Sequence, residues 1–290
     1  MADNEARKQF GGRTLTSNDD VFKYNAWDHV EWSEEQKQEA QQKIEKQTLA
    51  FQSRPDSESI LLKGEAPFSE AWHKFYSNHD DKFFKDRNWL FTEFSELSKE
   101  NSRIFEIGCG VGNTVIPVLE KNESCFIYGC DYEESAITIL KKHQNLDKNR
   151  SHVFVQDIRQ SMTDTIKKGS LDIIVSIFCL SAIHPSQFEK TVDNLIELLK
   201  PGGILLFRDY GRFDMAQLRF KDNRCVGENL YQRGDNTLSY FFTEEDVEKL
   251  FCGHGKLEKL QLITDGRMQV NRARQLKMYR MWVQGKFKKL

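Results

Sequence analysis

This chain of 290 residues predicts an α/β fold built on a doubly wound, mostly parallel sheet. From residue 102 onward, short apolar runs alternate with amphipathic stretches, which is the pattern of strands crossed by helices. A glycine-rich turn, Glu106-Ile-Gly-Cys-Gly-Val-Gly112, directly follows the first of those runs. Residues 1–65 break the alternation and read as a mainly helical N-terminal extension.

In the extension, residues 33–46 form a polar helix candidate, with Ser33 as its N-cap and Glu39 and Lys43 at i, i+4 spacing. Before it lies an aromatic cluster of Phe10, Phe22, Tyr24, Trp27 and Trp32, which has little aliphatic company. Such rings pack either on the main domain or on RNA bases. Residues 52–67 carry Ser, Pro, Asp and Gly and read as a linker. Strands are predicted at 103–107, 125–130, 152–156, 172–178 and 204–208, and helices at 114–121, 133–144 and 187–199. The last helix places Phe188, Val192, Leu195, Ile196 and Leu199 on one face, and Lys200-Pro-Gly-Gly203 stops it. Beyond residue 211 follow a helix at 243–251 capped by Thr243 and strands at 256–263 and 276–284. The resulting division is 1–65, a 66–101 segment ahead of the first strand, and a 102–290 domain.

Composition narrows the class. Aromatic residues make up 12% of the chain, which argues against global disorder. No window approaches the roughly 18 apolar residues of a membrane span, so no membrane partner is expected. The acidic, non-apolar start is unlike a secretory or mitochondrial leader. Six cysteines at 109, 125, 130, 179, 225 and 252 contain no CxxC pair, so no metal site is expected and reduced thiols in a cytoplasmic protein, or one shared with the nucleus, fit best. Net charge is −2, yet the stretch from Arg267 to Leu290 carries eight Lys or Arg and no acid. That concentration suits either a phosphate-binding patch or a solvated hairpin.

Gly108, Gly110 and Gly112 are spaced GxGxG, not the GxGxxG of dinucleotide binding, and no GxxxxGK[ST] loop is present. An acid just before the glycines, with Asp131 ending the second strand and Asp157 the third, resembles the class I S-adenosylmethionine-dependent methyltransferases. That resemblance implies a Rossmann-like, mostly parallel seven-stranded sheet with S-adenosylmethionine as cofactor. It implies that Asp131 meets the ribose hydroxyls, and that Asp157, Ile158 and Ile177 surround the adenine.

More specific strings narrow the family. Ala71-Trp-His-Lys-Phe-Tyr76, Phe83-Phe-Lys-Asp-Arg87, Ile177-Phe-Cys-Leu-Ser-Ala-Ile-His-Pro185 and Phe207-Arg-Asp-Tyr-Gly211 together resemble the eukaryotic tRNA N3-methylcytidine methyltransferases. Phe10-Gly-Gly-Arg13 and the segment Asn25-Ala-Trp-Asp-His-Val-Glu-Trp32 look like the branch acting on threonine and arginine tRNAs. The resemblance spans nearly the whole chain and implies 3-methylcytidine formation at position 32 of the anticodon loop. Threonine tRNAs lead, with serine and arginine tRNAs as alternatives, and a protein partner for tRNA selection is open. Cofactor candidates are Trp72, Tyr76, Glu106, Gly108, Gly110, Asp131, Asp157, Ile158 and Ile177, with Trp72 and Tyr76 closing over the ligand. The catalytic candidates are Asp209, as a carboxylate beside the exocyclic amine of the base, and Tyr210, as a wall for its ring. A purely structural alternative pairs Asp209 with Arg208. RNA-backbone candidates are Lys82, Lys85, Arg87, Arg272, Arg274, Lys277 and Arg280. Residues 1–65 are expected to bind tRNA. A protein or small-molecule acceptor, or a cofactor-binding tRNA module without turnover, are the competing readings.

Overall fold

The computed structural model describes residues 13–15, 17–57, 71–72, 87 and 89–290. Five parallel strands form its centre: β2 (Arg103–Ile107), β3 (Phe126–Asp131), β4 (Ser151–Val155), β5 (Leu171–Ile177) and β6 (Leu199–Tyr210). The sheet order is β1-β10-β11-β6-β5-β2-β3-β4, where β1 is Ala26–Trp27, β10 is Leu257–Asn271 and β11 is Leu276–Lys289. β11 runs antiparallel between β6 and β10, so the seven long strands are parallel but for one. The chain builds outward from β2 to β3 and β4, then returns to lay β5 and β6 on the other side. A crevice therefore opens at the carboxyl ends of β2 and β5, where strand order switches.

Alternation along the strands divides the core into two layers. Ile104 and Ile173 face α3 (Val115–Lys121) and α4 (Glu134–Lys141), together with the single turn α2 (Leu90–Glu93). Phe105, Ile107 and Ile174 face α5 (Phe188–Leu198) and α7 (Glu244–Cys252). β5 is buried along its whole length, as expected for a central parallel strand. α7 starts at a capping box between Thr243 and Asp246, which satisfies two free N–H groups reciprocally.

Three findings depart from the sequence reading. The Lys200-Pro-Gly-Gly203 turn is not outside the sheet: β6 already pairs Leu199 with Leu171, and the turn is an irregularity in the strand before Ile204 meets Ile173. A second sheet, β7 (Cys225–Gly227), β8 (Leu230–Gln232) and β9 (Leu238–Tyr240), follows α6 (Met215–Arg219) where no strands were predicted. The polar helix α1 runs Glu34–Gln52, longer than expected, and buries Ile44, Gln47 and Phe51, with Phe51 in the core of that sheet. Among the cluster rings, Trp27 is buried with Val21, Met268 and Val270, and Trp32 stacks on Phe213. These rings pack on the domain. Phe10 and residues 58–67 of the expected linker lie outside the described residues.

Candidate active site

The glycine turn after β2 is held in a conformation that side chains resist. Gly108, Gly110 and Gly112 have φ of +60°, +52° and +98°. A Cβ at Gly108 would stand 2.5 Å from Cys179 Sγ, so a methyl there needs the β5 exit to move. The turn is tied to the end of β3: Cys109 N–H donates to Cys130 O at 2.9 Å, and Gly110 N–H to Asp131 Oδ2 at 2.8 Å. Glu133 N–H donates to the other carboxyl oxygen at 3.0 Å. Asp131 is thus fixed in orientation, while burial pushes its carboxyl up from the ordinary range.

Around this turn opens a cleft of about 390 Å³. One end is lined by Tyr132, Asp157, Ile158 and Ile183. Asp157 accepts both guanidinium contacts of Arg159, at 2.7 and 2.8 Å. The other end is aromatic. Phe178 leaves β5 with φ of +54°, a backbone region that a bulky residue seldom adopts, and its ring lies 5.0 Å from Tyr210 and 6.4 Å from Trp282. Trp282 is backed by Arg208, whose guanidinium lies 4.7 Å from its ring and 5.0 Å from that of Trp89. Arg208 is held by Asp265 at 2.6 Å and by Gln284.

The donor set suits S-adenosylmethionine. A fixed carboxylate suits a ribose diol, the glycines leave room for close approach, and Tyr132 with Ile158 offers apolar surface to a purine. The comparisons with known proteins agree. A methyltransferase-domain family model matches residues 105–205. A solved S-adenosylmethionine-dependent methyltransferase from Anabaena variabilis shares the fold at a TM-score of 0.59 and 14% identity, covering 78% of this chain and 97% of that one. From Danio rerio, tRNA N(3)-cytidine methyltransferase METTL2 is 43% identical, covering 100% of this chain and 91% of that protein. The chain belongs to the tRNA N(3)-cytidine methyltransferases. Other members are tRNA N(3)-methylcytidine methyltransferase Mettl2 of Drosophila melanogaster, 46% identical over 96% of this chain and 88% of that protein, and a Saccharomyces cerevisiae relative. The latter, tRNA(Thr) (cytosine(32)-N(3))-methyltransferase, is 43% identical over 96% of this chain and 45% of its own length.

Within this S-adenosylmethionine-dependent methyltransferase, the sequence candidates separate into two groups. Trp72, Gly108, Gly110, Asp131, Asp157, Ile158, Tyr210, Arg87 and Arg280 line the cleft. Glu106, Ile177 and Asp209 do not. Glu106 is buried beneath the glycine turn, with Oε1 3.4 Å from Arg87 Nη1, and burial raises its carboxyl to about 7. Arg87 also donates to Thr114 Oγ1 at 2.8 Å. Ile177 is core, because its side chain faces the layer under α3.

Asp209 is a correction in both of its expected roles. Its oxygens accept the N–H of Ser181 and of Tyr210, each at 2.9 Å, and the residue is fully buried. Successive strand residues point to opposite faces, so Arg208 reaches Asp265 and not its neighbour. Asp209 is therefore a positioning residue that ties the β5 exit to Tyr210. His184 caps the turn Pro185–Gln187 by accepting Ser186 N–H at 3.3 Å.

Arg272, Arg274 and Lys277 stand exposed at the β10–β11 turn, away from the cleft lining. Arg280 is a cleft arginine held by buried Asp214 at 2.8 Å. Tyr76, Lys82 and Lys85 lie outside the described residues. Sequence reasoning passed over Phe178, Trp282, Arg159 and Arg233 as site residues. For Phe178 a signal existed, since it opens the segment leaving β5. Arg233 gave none, sitting in a Gln-Arg-Gly-Asp-Asn stretch of the unpredicted second sheet.

Proposed function

We propose that this chain methylates N3 of cytidine 32 in the anticodon loop of threonine tRNAs. The observation that carries the reading is the aromatic end of the cleft, where Phe178, Tyr210 and Trp282 meet across from the Asp131 and Asp157 end. A base must leave its stack to be modified, and an aromatic pocket replaces the lost stacking. The name of the yeast relative supports the nucleoside, the position and the tRNA.

S-adenosylmethionine, when bound, supplies an electrophilic methyl group. The neutral base already carries a lone pair on N3, so no side chain needs to remove a proton before transfer. Positive charge moves onto the ring, and the electron-rich faces of Phe178 and Tyr210 favour it there. Asp131 and the glycine turn hold the donor, Asp209 holds Tyr210 through its backbone, and positioning supplies much of the acceleration. Two cleft arginines are neutralised, Arg159 by Asp157 and Arg280 by Asp214, while Arg87 stands 3.4 Å from the buried Glu106 carboxyl. Pairing keeps those cations from opposing the charge that develops on the base. The exposed turn with Arg272, Arg274 and Lys277 offers the tRNA backbone a phosphate contact outside the cleft.

The test is methyl transfer from labelled S-adenosylmethionine to tRNA from cells lacking this protein, read by nucleoside mass spectrometry. 3-Methylcytidine at position 32 of threonine tRNA is expected, and a different methylated nucleoside, or none, overturns the reading. In the same assay Tyr210→Phe keeps most activity. Tyr210→Ala loses one stacking face, worth about 1–3 kcal/mol, hence roughly 5- to 150-fold in kcat/KM.

A further inference from the structure

We propose that Arg233 binds a backbone phosphate flanking the cytidine presented for methylation. This inference rests on the tRNA reading above and gives the cleft an anchor for the nucleotide rather than for the cofactor.

Arg233 follows β8 and enters the cleft lining with Leu238 from the second sheet. Its guanidinium lies 5.2 Å over the ring of Tyr210 and donates to Ser239 Oγ at 3.2 Å. Its three companions in the cleft each stand against an acidic side chain, whereas no ion pair is formed by Arg233 among the described residues. Its charge is felt by Asp209, but both carboxyl oxygens there already accept backbone N–H groups. A half-buried guanidinium that has, among the described residues, one hydroxyl and one ring for company keeps most of its five donors for a ligand, and the ligand it favours is an anion.

Two anions could come to this cleft, an RNA phosphate and the carboxylate of the cofactor's methionine moiety. Topology favours the phosphate. Arg233 sits above Tyr210 at the end of β6, and the order β3-β2-β5-β6 puts three strand spacings, roughly 14 Å, between that strand and β3 with its Asp131. Arg87, bonded to Glu106 and Thr114 beneath the glycine turn and 5.7 Å from the Phe178 ring, stands between Arg233's end and the turn that holds the cofactor. A base seated against Tyr210 brings its own phosphodiester close to the guanidinium above that ring. The charge is useful there and harmful at N3: a cation paired with phosphate adds affinity without opposing positive charge on the base.

The experiment measures binding of threonine tRNA to the full chain as a function of salt, for wild type, Arg233→Gln and Arg233→Lys, with calorimetric S-adenosylmethionine affinity beside it. Arg233→Gln is expected to weaken tRNA binding about tenfold and to reduce the slope of log K against log salt by about 0.7, one phosphate's share in a single-stranded loop. Arg233→Lys keeps the slope, and cofactor affinity stays within about twofold in both. A tRNA with a neutral methylphosphonate on either side of cytidine 32 is expected to lose the same affinity on wild type and nothing more on Arg233→Gln. An unchanged slope, additive losses at both linkages, or a loss of cofactor affinity in place of tRNA affinity overturns the proposal. The last result would assign the guanidinium to the methionine carboxylate. Wild type that makes no 3-methylcytidine on this tRNA counts against the proposed function itself, which the slope measurement does not decide.

Discussion

Glu106 is the residue whose chemistry the fold alters most. It is fully buried under the glycine turn, Arg87 meets only one of its oxygens, and Oε2 has no hydrogen-bond partner among the described residues. Burial raises its carboxyl from 4.5 to about 7, against the opposing pull of Arg87. Because the folded value lies above the unfolded one, the folded state holds the proton more tightly. The associated stability is complete below about pH 4.5 and is lost as pH rises through about 7. A shift of that size corresponds to about 3 kcal/mol. Glu106→Gln, which has no proton to lose, is expected to flatten the pH dependence: between pH 4.5 and 7.5 its denaturation midpoint should fall by less than that of wild type. Parallel curves for the two proteins would mean that Glu106 ionises normally. The same burial explains why the sequence placed this acid at the ligand. Its position before the glycines is plain in the residue string, but which side of the turn its side chain takes depends on Arg87, nineteen residues earlier. That Asp131 and Asp157 reach the cleft lining was legible because Asp131 ends β3 and Asp157 follows the end of β4 by two residues.

At the scale of elements, α1 shows what periodicity misses. Residues 33–46 announce a helix through the Ser33 cap and the charged pairs, but its continuation to Gln52 is hidden because a buried position is occupied by a polar residue. Gln47 is fully buried, donating to Phe220 O at 2.8 Å and accepting from Tyr231 Oη at 2.9 Å. Its partners lie more than 170 residues away, Phe220 at the end of α6 and Tyr231 in the sheet that no local pattern predicted. Short strands of three residues carry too little alternation to be read, and here they follow an aromatic core formed by Phe51, Tyr231 and Phe241. The same sheet reaches the cleft, since Arg233 follows β8 and Leu238 opens β9, and both line it. Gln47→Leu leaves two buried groups without partners at about 1–3 kcal/mol each. It is expected to lower thermal stability and to raise KM for tRNA several-fold with cofactor affinity little changed. Equal damage to both affinities would show that the second sheet supports the glycine turn as well.

The whole molecule is tied together across the boundary that the sequence suggested near residue 65. β1 adds to the edge of β10, pairing Ala26 with Gln269 and Trp27 with Met268. Arg267 bridges Asp28 at 3.6 Å, Glu93 at 2.7 Å and Asp265 at 3.0 Å, and Asp265 in turn holds Arg208 behind Trp282. From the extension to the aromatic wall there is thus a continuous run of partly buried charge. Breaking one partner out of such a network is costly, because the remaining charges stay buried without compensation. The sequence reading gives residues 1–65 to tRNA binding, so that their removal should damage tRNA binding more than cofactor binding. The contacts of residues 13–57 argue for a different outcome. Removing residues 1–57 uncovers the β10 edge with Met268 and Val270, strips the second sheet of Phe51 and Gln47, and leaves Arg267 short of Asp28. The truncated chain is expected to melt well below the full chain and to lose S-adenosylmethionine and tRNA affinity together. If it instead melts normally and keeps the cofactor while losing tRNA, the extension is an independent arm and the charge network does not support the wall.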